Sequence, residues 1–243
     1  MRNSWVIAVR EFRRYFVSPL AYAAAALTFL VLGLIFSLNV NFGLPTGQMN
    51  PDGRMVLGPL ATVLLIVSPV LTMRLLAEEQ RMGTLELLLT SPVRDWELVV
   101  GKWLGSFLFL LLIVAGTWVF PILINQFTEP GIDQGVLVSA YIGMVALVGS
   151  LLAIGVFASS LFSSPAAAAV LGFALSLVLW ILGNVGAGLS PLSQAVGYLG
   201  LLEHFYNNLY QGILELSDLV YYASVTALAL FLASQVVESR RWR

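Results

Sequence analysis

Hydrophobic runs long enough to cross a bilayer alternate with short charged stretches along this chain. A helix needs about 20 apolar residues to traverse a hydrocarbon core of roughly 30 Å, and the charge-free gaps supply them. The first gap runs from Tyr15 to Pro51, with its apolar part at Leu20 to Phe42. The second covers Met55 to Met73, and the third Trp103 to Thr128, where Pro121 predicts a kink near the outer end. From Gln134 to Leu202 no residue carries a formal charge, which is too long for one crossing. The Ser159-Ser160-Leu161-Phe162-Ser163-Ser164-Pro165 cluster divides it as a turn would, predicting helices over about 136–160 and 165–187. A last gap, Leu219 to Val237, brings the expected crossings to six and both termini to one side.

Composition sharpens this into an all-α polytopic membrane protein. Of 243 residues, 59% are hydrophobic and 10% charged, against roughly 25% charged in a soluble domain. The absence of cysteine excludes disulfides, thiolate metal sites and thiol nucleophiles, and one histidine, His204, excludes a multi-histidine metal centre. With 12 Lys+Arg against 13 Asp+Glu there is no basic surface for nucleic acid. No catalytic, cofactor or metal constellation is expected.

The placement of the cations orients the spans. Arg2, Arg10, Arg13 and Arg14 precede span 1; Arg74, Arg81, Arg94 and Lys102 lie between spans 2 and 3; Arg240, Arg241 and Arg243 follow span 6. Only Arg54 falls opposite. Positively charged flanks stay inside, so both termini are expected in the cytoplasm and the chain in the inner or plasma membrane. The spans themselves are read as free of charge, which argues against ion-coupled transport.

Three segments stand outside this pattern within a single domain of residues 1–243. Residues 1–17 predict an interfacial helix, with Trp5, Ala8, Val9, Phe12, Tyr15 and Phe16 on one arc and Arg10, Glu11, Arg13 and Arg14 on the other. Its apolar continuation is span-length, so it is expected to stay in the mature protein instead of acting as a cleaved signal. Residues 74–102 predict a cytoplasmic loop with a short helix at Thr84 to Thr90, an apolar ridge of Leu85, Leu88 and Leu89, and Asp95 as the N-cap of the next helix. Residues 188–218 predict external re-entrant or interfacial helices at Leu192 to Leu202 and Phe205 to Leu216. Glu203, His204, Tyr206, Asn207, Asn208 and Tyr210 make a polar, aromatic candidate gate there, with His204 beside Glu203. The small residues Gly143, Gly149, Ser150, Ala153, Gly155, Ala166 to Ala169 and Gly172 predict close packing of spans 4 and 5.

The run Glu78-Glu79-x-Arg81-x-Gly83-Thr84-Leu85-Glu86-Leu87-Leu88-Leu89-Thr90-Ser91-Pro92-Val93, with Asp95-Trp96 and Gly101-Lys102 after it, resembles the cytoplasmic signature of ABC-2-type ABC transporter permeases. Within them it is most similar to the gliding-motility and nitrous-oxide-reductase-maturation branch. The resemblance implies a dimer, of identical chains or with a sister permease, bound to two separate ATPase subunits that hold ATP and magnesium. It also implies that Glu78, Glu79, Arg81, Gly83, Thr84, Leu85, Glu86, Leu87, Leu88 and Leu89 form the coupling stretch. In agreement, the chain has no G-x-x-x-x-G-K-[ST] loop: Trp96 stands where the first glycine belongs and Trp103 follows Gly101-Lys102.

Two other function classes compete with ATP-driven export. A mechanical or scaffold subunit acting on an external partner would use the same coupling stretch without moving solute. An intramembrane protease of the E-E-x-x-x-R type fails on spacing, because Gly83 occupies the arginine position.

Overall fold

The computed structural model describes residues 2–43, 52–84, 94–128, 131–185 and 196–241; the regular structure among them is all helical. In chain order the helices are α1 (Arg2–Tyr15), α2 (Pro19–Leu38), α3 (Leu57–Thr72), α4 (Ala77–Arg81), α5 (Asp95–Gly116), α6 (Val119–Phe127), α7 (Gln134–Leu161), α8 (Pro165–Val185), α9 (Leu201–Asn207) and α10 (Leu216–Arg241). Six segments among the described residues are long and apolar enough to cross a membrane: Pro19–Phe42, Leu57–Arg81, Asp95–Gln126, Gln134–Leu161, Pro165–Gly183 and Leu216–Arg240. The predicted six crossings therefore stand.

Local chemistry sets the boundaries. Pro19 opens α2, where its missing N–H costs nothing. The third crossing breaks at Thr117–Trp118 because Pro121 cannot donate to the Thr117 carbonyl, which accepts from the Phe120 amide at 3.1 Å instead. Asp133 caps α7, its carboxylate accepting from the Gly135 amide at 2.9 Å and the Val136 amide at 3.3 Å. The turn between spans 4 and 5 falls at Phe162–Ser164, and Pro165 starts α8.

Several expectations are corrected. The N-cap of α5 is Arg94, not Asp95, because Glu97 reaches back to accept the Arg94 amide at 3.3 Å and so fixes the first turn one residue earlier. The helix predicted over Phe205 to Leu216 is instead α9, a 3₁₀ turn at Leu209–Gln211 and a chain reversal at Gly212, whose φ of 93° suits a residue without a side chain. Span 6 starts at Leu216 instead of Leu219, since Asp218 is buried inside the fold and does not mark its edge. Of the predicted Thr84 to Thr90 helix only Thr84 is described, and of the Leu192 to Leu202 segment residues 196–202, where a turn at Tyr198–Leu199 precedes α9.

The core is organised around α7. Its apolar window is 78% buried, against 17% for the windows of span 1 and span 5, and it touches α10, α8, α3 and α5. Small residues admit these neighbours, but not spans 4 and 5 alone. A Cβ at Gly143 would meet Leu209 and Phe205, one at Gly149 would meet Phe107 and Trp103, and one at Gly155 would strike Thr72. Of the small residues on α8, Gly172 faces α7: a Cβ there would lie 3.6 Å from Gly155 Cα and 3.5 Å from Ala158 Cβ. Distributing small residues around one helix lets four others approach it closely.

Helix α1 lies along the first turns of α5. Ser4, Ile7, Ala8, Glu11 and Tyr15 are buried, while Trp5, Val6 and Phe16 are exposed. The predicted arcs are thus rotated: Glu11, placed on the polar side, faces the fold, and Ile7 packs with it. The reason lies on α5, where Gly101 and Gly105 present bare backbone; a Cβ at 105 would sit 2.6 Å from Glu11 Cβ and 2.9 Å from the Ala8 carbonyl oxygen. Gly105→Val is expected to destabilise the protein by about 1–3 kcal/mol and to expose α1 to protease, as read by unfolding in detergent and by limited proteolysis.

Candidate functional site

The predicted coupling stretch begins where span 2 leaves the apolar region. Glu78 and Glu79 sit on the single turn of α4, and Gly83 ends that turn with φ 69°, a left-handed conformation that favours glycine. Arg81 is exposed, and the Thr84 hydroxyl donates to the Glu79 carbonyl at 3.3 Å. Leu85, Glu86, Leu87, Leu88 and Leu89 lie outside the described residues.

Glu79 turns inward to the Lys102 ammonium, at 2.7 Å from Oε1; Glu11 Oε1 is 3.2 Å from the same nitrogen. Lys102 is fully buried, and both carboxylates are nearly so. Lys102 lies a full turn and more inside α5, so the segment predicted over 74–102 ends within that helix. Three elements distant in sequence therefore meet at one buried charge: α1, α4 and α5. Arg10 and Arg14 stand 3.6 Å and 3.8 Å from Glu11, and Arg14 also lies 3.8 Å from Glu78. Beside them the Tyr15 hydroxyl donates to the Leu71 carbonyl at 3.3 Å, and burial, then the charge of Glu11, push its phenol well above the ordinary range.

The same segment is tied to the ends of spans 4 and 6. Ser159 Oγ accepts the Leu76 and Ala77 amides, each at 3.1 Å, supplying from another helix the cap that α4 lacks. Gln80 Nε2 donates to the Ser160 carbonyl at 2.9 Å, and Arg240 donates to the carbonyls of Ser160 and Leu161 at 3.1 Å. A displacement of α4 is thereby felt by α1, α5, α7 and α10.

On the opposite face the candidate gate residues form a cap. His204 is buried; its Nδ1 lies 2.7 Å from Asp218 Oδ1 and its Nε2 2.9 Å from the Tyr198 carbonyl oxygen. Its ring stacks on Tyr221 with centroids 4.0 Å apart. The partner of His204 is thus Asp218, not the adjacent Glu203, which packs beside Gly183. Asn208 Nδ2 donates to the other Asp218 oxygen at 3.0 Å. Tyr206 donates to the Gly58 carbonyl at 3.1 Å, and the Arg54 guanidinium, paired with Asp52, lies 4.9 Å above the Tyr210 ring and donates to the Tyr210 carbonyl. Burial raises the phenols of Tyr206 and Tyr210, with Asp52 adding to the second, so both stay neutral donors. Asn207 alone of the six is exposed.

Glu11, Gln80, Lys102, Ser159, Asp218 and Arg240 are not among the site residues expected from sequence. The available signal was a lone acid in a basic helix, Glu11, and a lysine between two glycines, Gly101-Lys102 and Gly105. Lys102→Met is expected to cost about 3–5 kcal/mol, because it leaves two carboxylates buried without their cation. Unfolding by detergent titration measures this; Arg13→Gln, at an exposed site, is the control and should lie within about 0.5 kcal/mol of the unchanged protein.

Residues 5–240 match the family model described as ABC-2 family transporter protein. Comparison with curated proteins gives no match. A match spanning nearly the whole chain, on six candidate crossings, shows that this protein belongs to the ABC-2 transporter family and is its membrane-spanning, permease component.

Proposed function

We propose that this chain is the permease subunit of an ATP-driven exporter, paired with a second permease chain and with two copies of a separate ATPase that carries the ATP and magnesium. Its terminal face is then cytoplasmic, in the inner or plasma membrane, which accords with eleven of the 12 Lys+Arg lying on that face in sequence. The observation that carries the reading is Lys102 held between Glu79 and Glu11. An ATPase that grips the stretch from Glu78 to Leu89 pulls on α4, and the buried ion pairs pass that displacement to α5 and α1 together. Because α1 leads directly into α2, spans 1 and 3 move with the coupling stretch.

The lightly covered spans 1 and 5 offer the apolar surface for the second permease chain. Glu203, His204, Tyr206, Asn207, Asn208 and Tyr210 act as the outer gate, held shut by the Asp218 and Arg54 contacts and opened when α7 and α10 shift. Leu88→Arg or Glu86→Arg is expected to abolish co-purification of the ATPase and its stimulation while leaving the permease folded. Unchanged complex formation and ATPase activity in both variants would overturn the coupling assignment.

A further inference from the structure

Where span 1 begins and span 2 ends, the elbow between α1 and α2 stands off α3 and leaves a cleft of about 290 Å³. Its two ends differ in chemistry. Leu71 and Leu75 are buried and Leu20 half-buried along one side, whereas Arg14, Arg74 and Glu78 reach solvent on the other. The cleft is lined by the start of span 1, which begins at Pro19, and by the last turns of span 2, which ends at Arg81; charged side chains at span ends reach the headgroup region. Such space need be only about 10–15 Å³ to hold one water, so this cleft exceeds a single small ion and is suited to a headgroup.

The charges in this cleft are incompletely used. Arg74 makes no hydrogen bond or ion pair within the described residues, and Arg14 is held loosely, 3.8 Å from both Glu11 and Glu78. Glu11 is committed to Lys102. That leaves an unpaired guanidinium, a second one within the same cleft and the accessible carboxylate of Glu78, beside an apolar wall. Guanidinium groups bind phosphate with paired N–H donors, and a carboxylate beside them favours a ligand that also carries N–H cations.

We infer that this cleft is a binding site for a phospholipid of the surrounding bilayer whose headgroup bears a primary ammonium. The phosphodiester lies on Arg74 and Arg14, the ammonium on Glu78, and the upper acyl chain along Leu20, Leu71 and Leu75. The lipid then sits against the Glu11–Lys102–Glu79 centre and fills the elbow through which α1 joins span 1.

The test is native mass spectrometry of the full chain in mild detergent, delipidated and then offered phosphatidylethanolamine, phosphatidylglycerol or inorganic phosphate. The unchanged protein should retain one phosphatidylethanolamine in preference to phosphatidylglycerol. Arg74→Gln should lower its occupancy about tenfold, the loss of one charge-assisted hydrogen-bonded contact. Glu78→Gln should keep lipid binding but remove the preference between the two headgroups, and Arg13→Gln should change neither. The proposal is overturned if Arg74→Gln retains full occupancy, if both lipids bind equally to the unchanged protein, or if inorganic phosphate at the same concentration displaces the lipid, which would mark an ion site only. Arg74 is exposed and unpaired, so its variant should melt with the unchanged protein; the independent Glu78→Gln readout applies to a folded chain in either event.

Discussion

One ammonium group, that of Lys102, fixes how the terminal face of this protein is built. Bringing it out of water costs several kcal/mol, and so does each carboxylate that joins it. Those costs are offset only if Glu11 and Glu79 both arrive within hydrogen-bonding distance, as they do. That requirement brings α1 against α5 closely enough for Gly101 and Gly105 to be needed, and it brings α4 inward from the end of span 2. An apolar contact would tolerate sliding by an ångström or two. A buried ion pair does not, since separating it strands a charge, and this stiffness suits an element that transmits force.

The two faces of the molecule are held by different physics. On the terminal side, charges and trans-caps from Ser159, Gln80 and Arg240 join helices whose ends would otherwise leave backbone groups unpaired. On the opposite side, a dense set of rings surrounds His204 and Asp218. There the Tyr221 and Tyr222 hydroxyls donate to the carbonyls of Leu199 and Leu201, both at 2.6 Å. Between the two, α7 acts as a common axle, touching elements of both faces.

Spans 1 and 5 differ from the rest in how little they are covered. In a bilayer such surfaces are stable against lipid, and they are equally suited to a second chain of the same chemistry. The elbow cleft lies at the N-terminal end of span 1, so whatever occupies it sits beside both this surface and the ion-paired centre.

The crossings, their number and the turn at Phe162–Ser164 were legible in the sequence, because a span-length run without charges has few alternatives in or out of lipid. So was the signature from Glu78 onward, which is a local run of residues. What the sequence left undecided was every pairing across it. Hydrophobic periodicity placed Glu11 among solvated residues and treated Lys102 and Asp218 as the edges of spans, since it counts a charge as a boundary wherever it stands. Only the tertiary structure shows that these groups are met by partners 91, 23 and 14 positions away along the chain. A charge can lie inside an apolar segment when its partner comes from another helix, and that partner is fixed by packing, which no local pattern encodes.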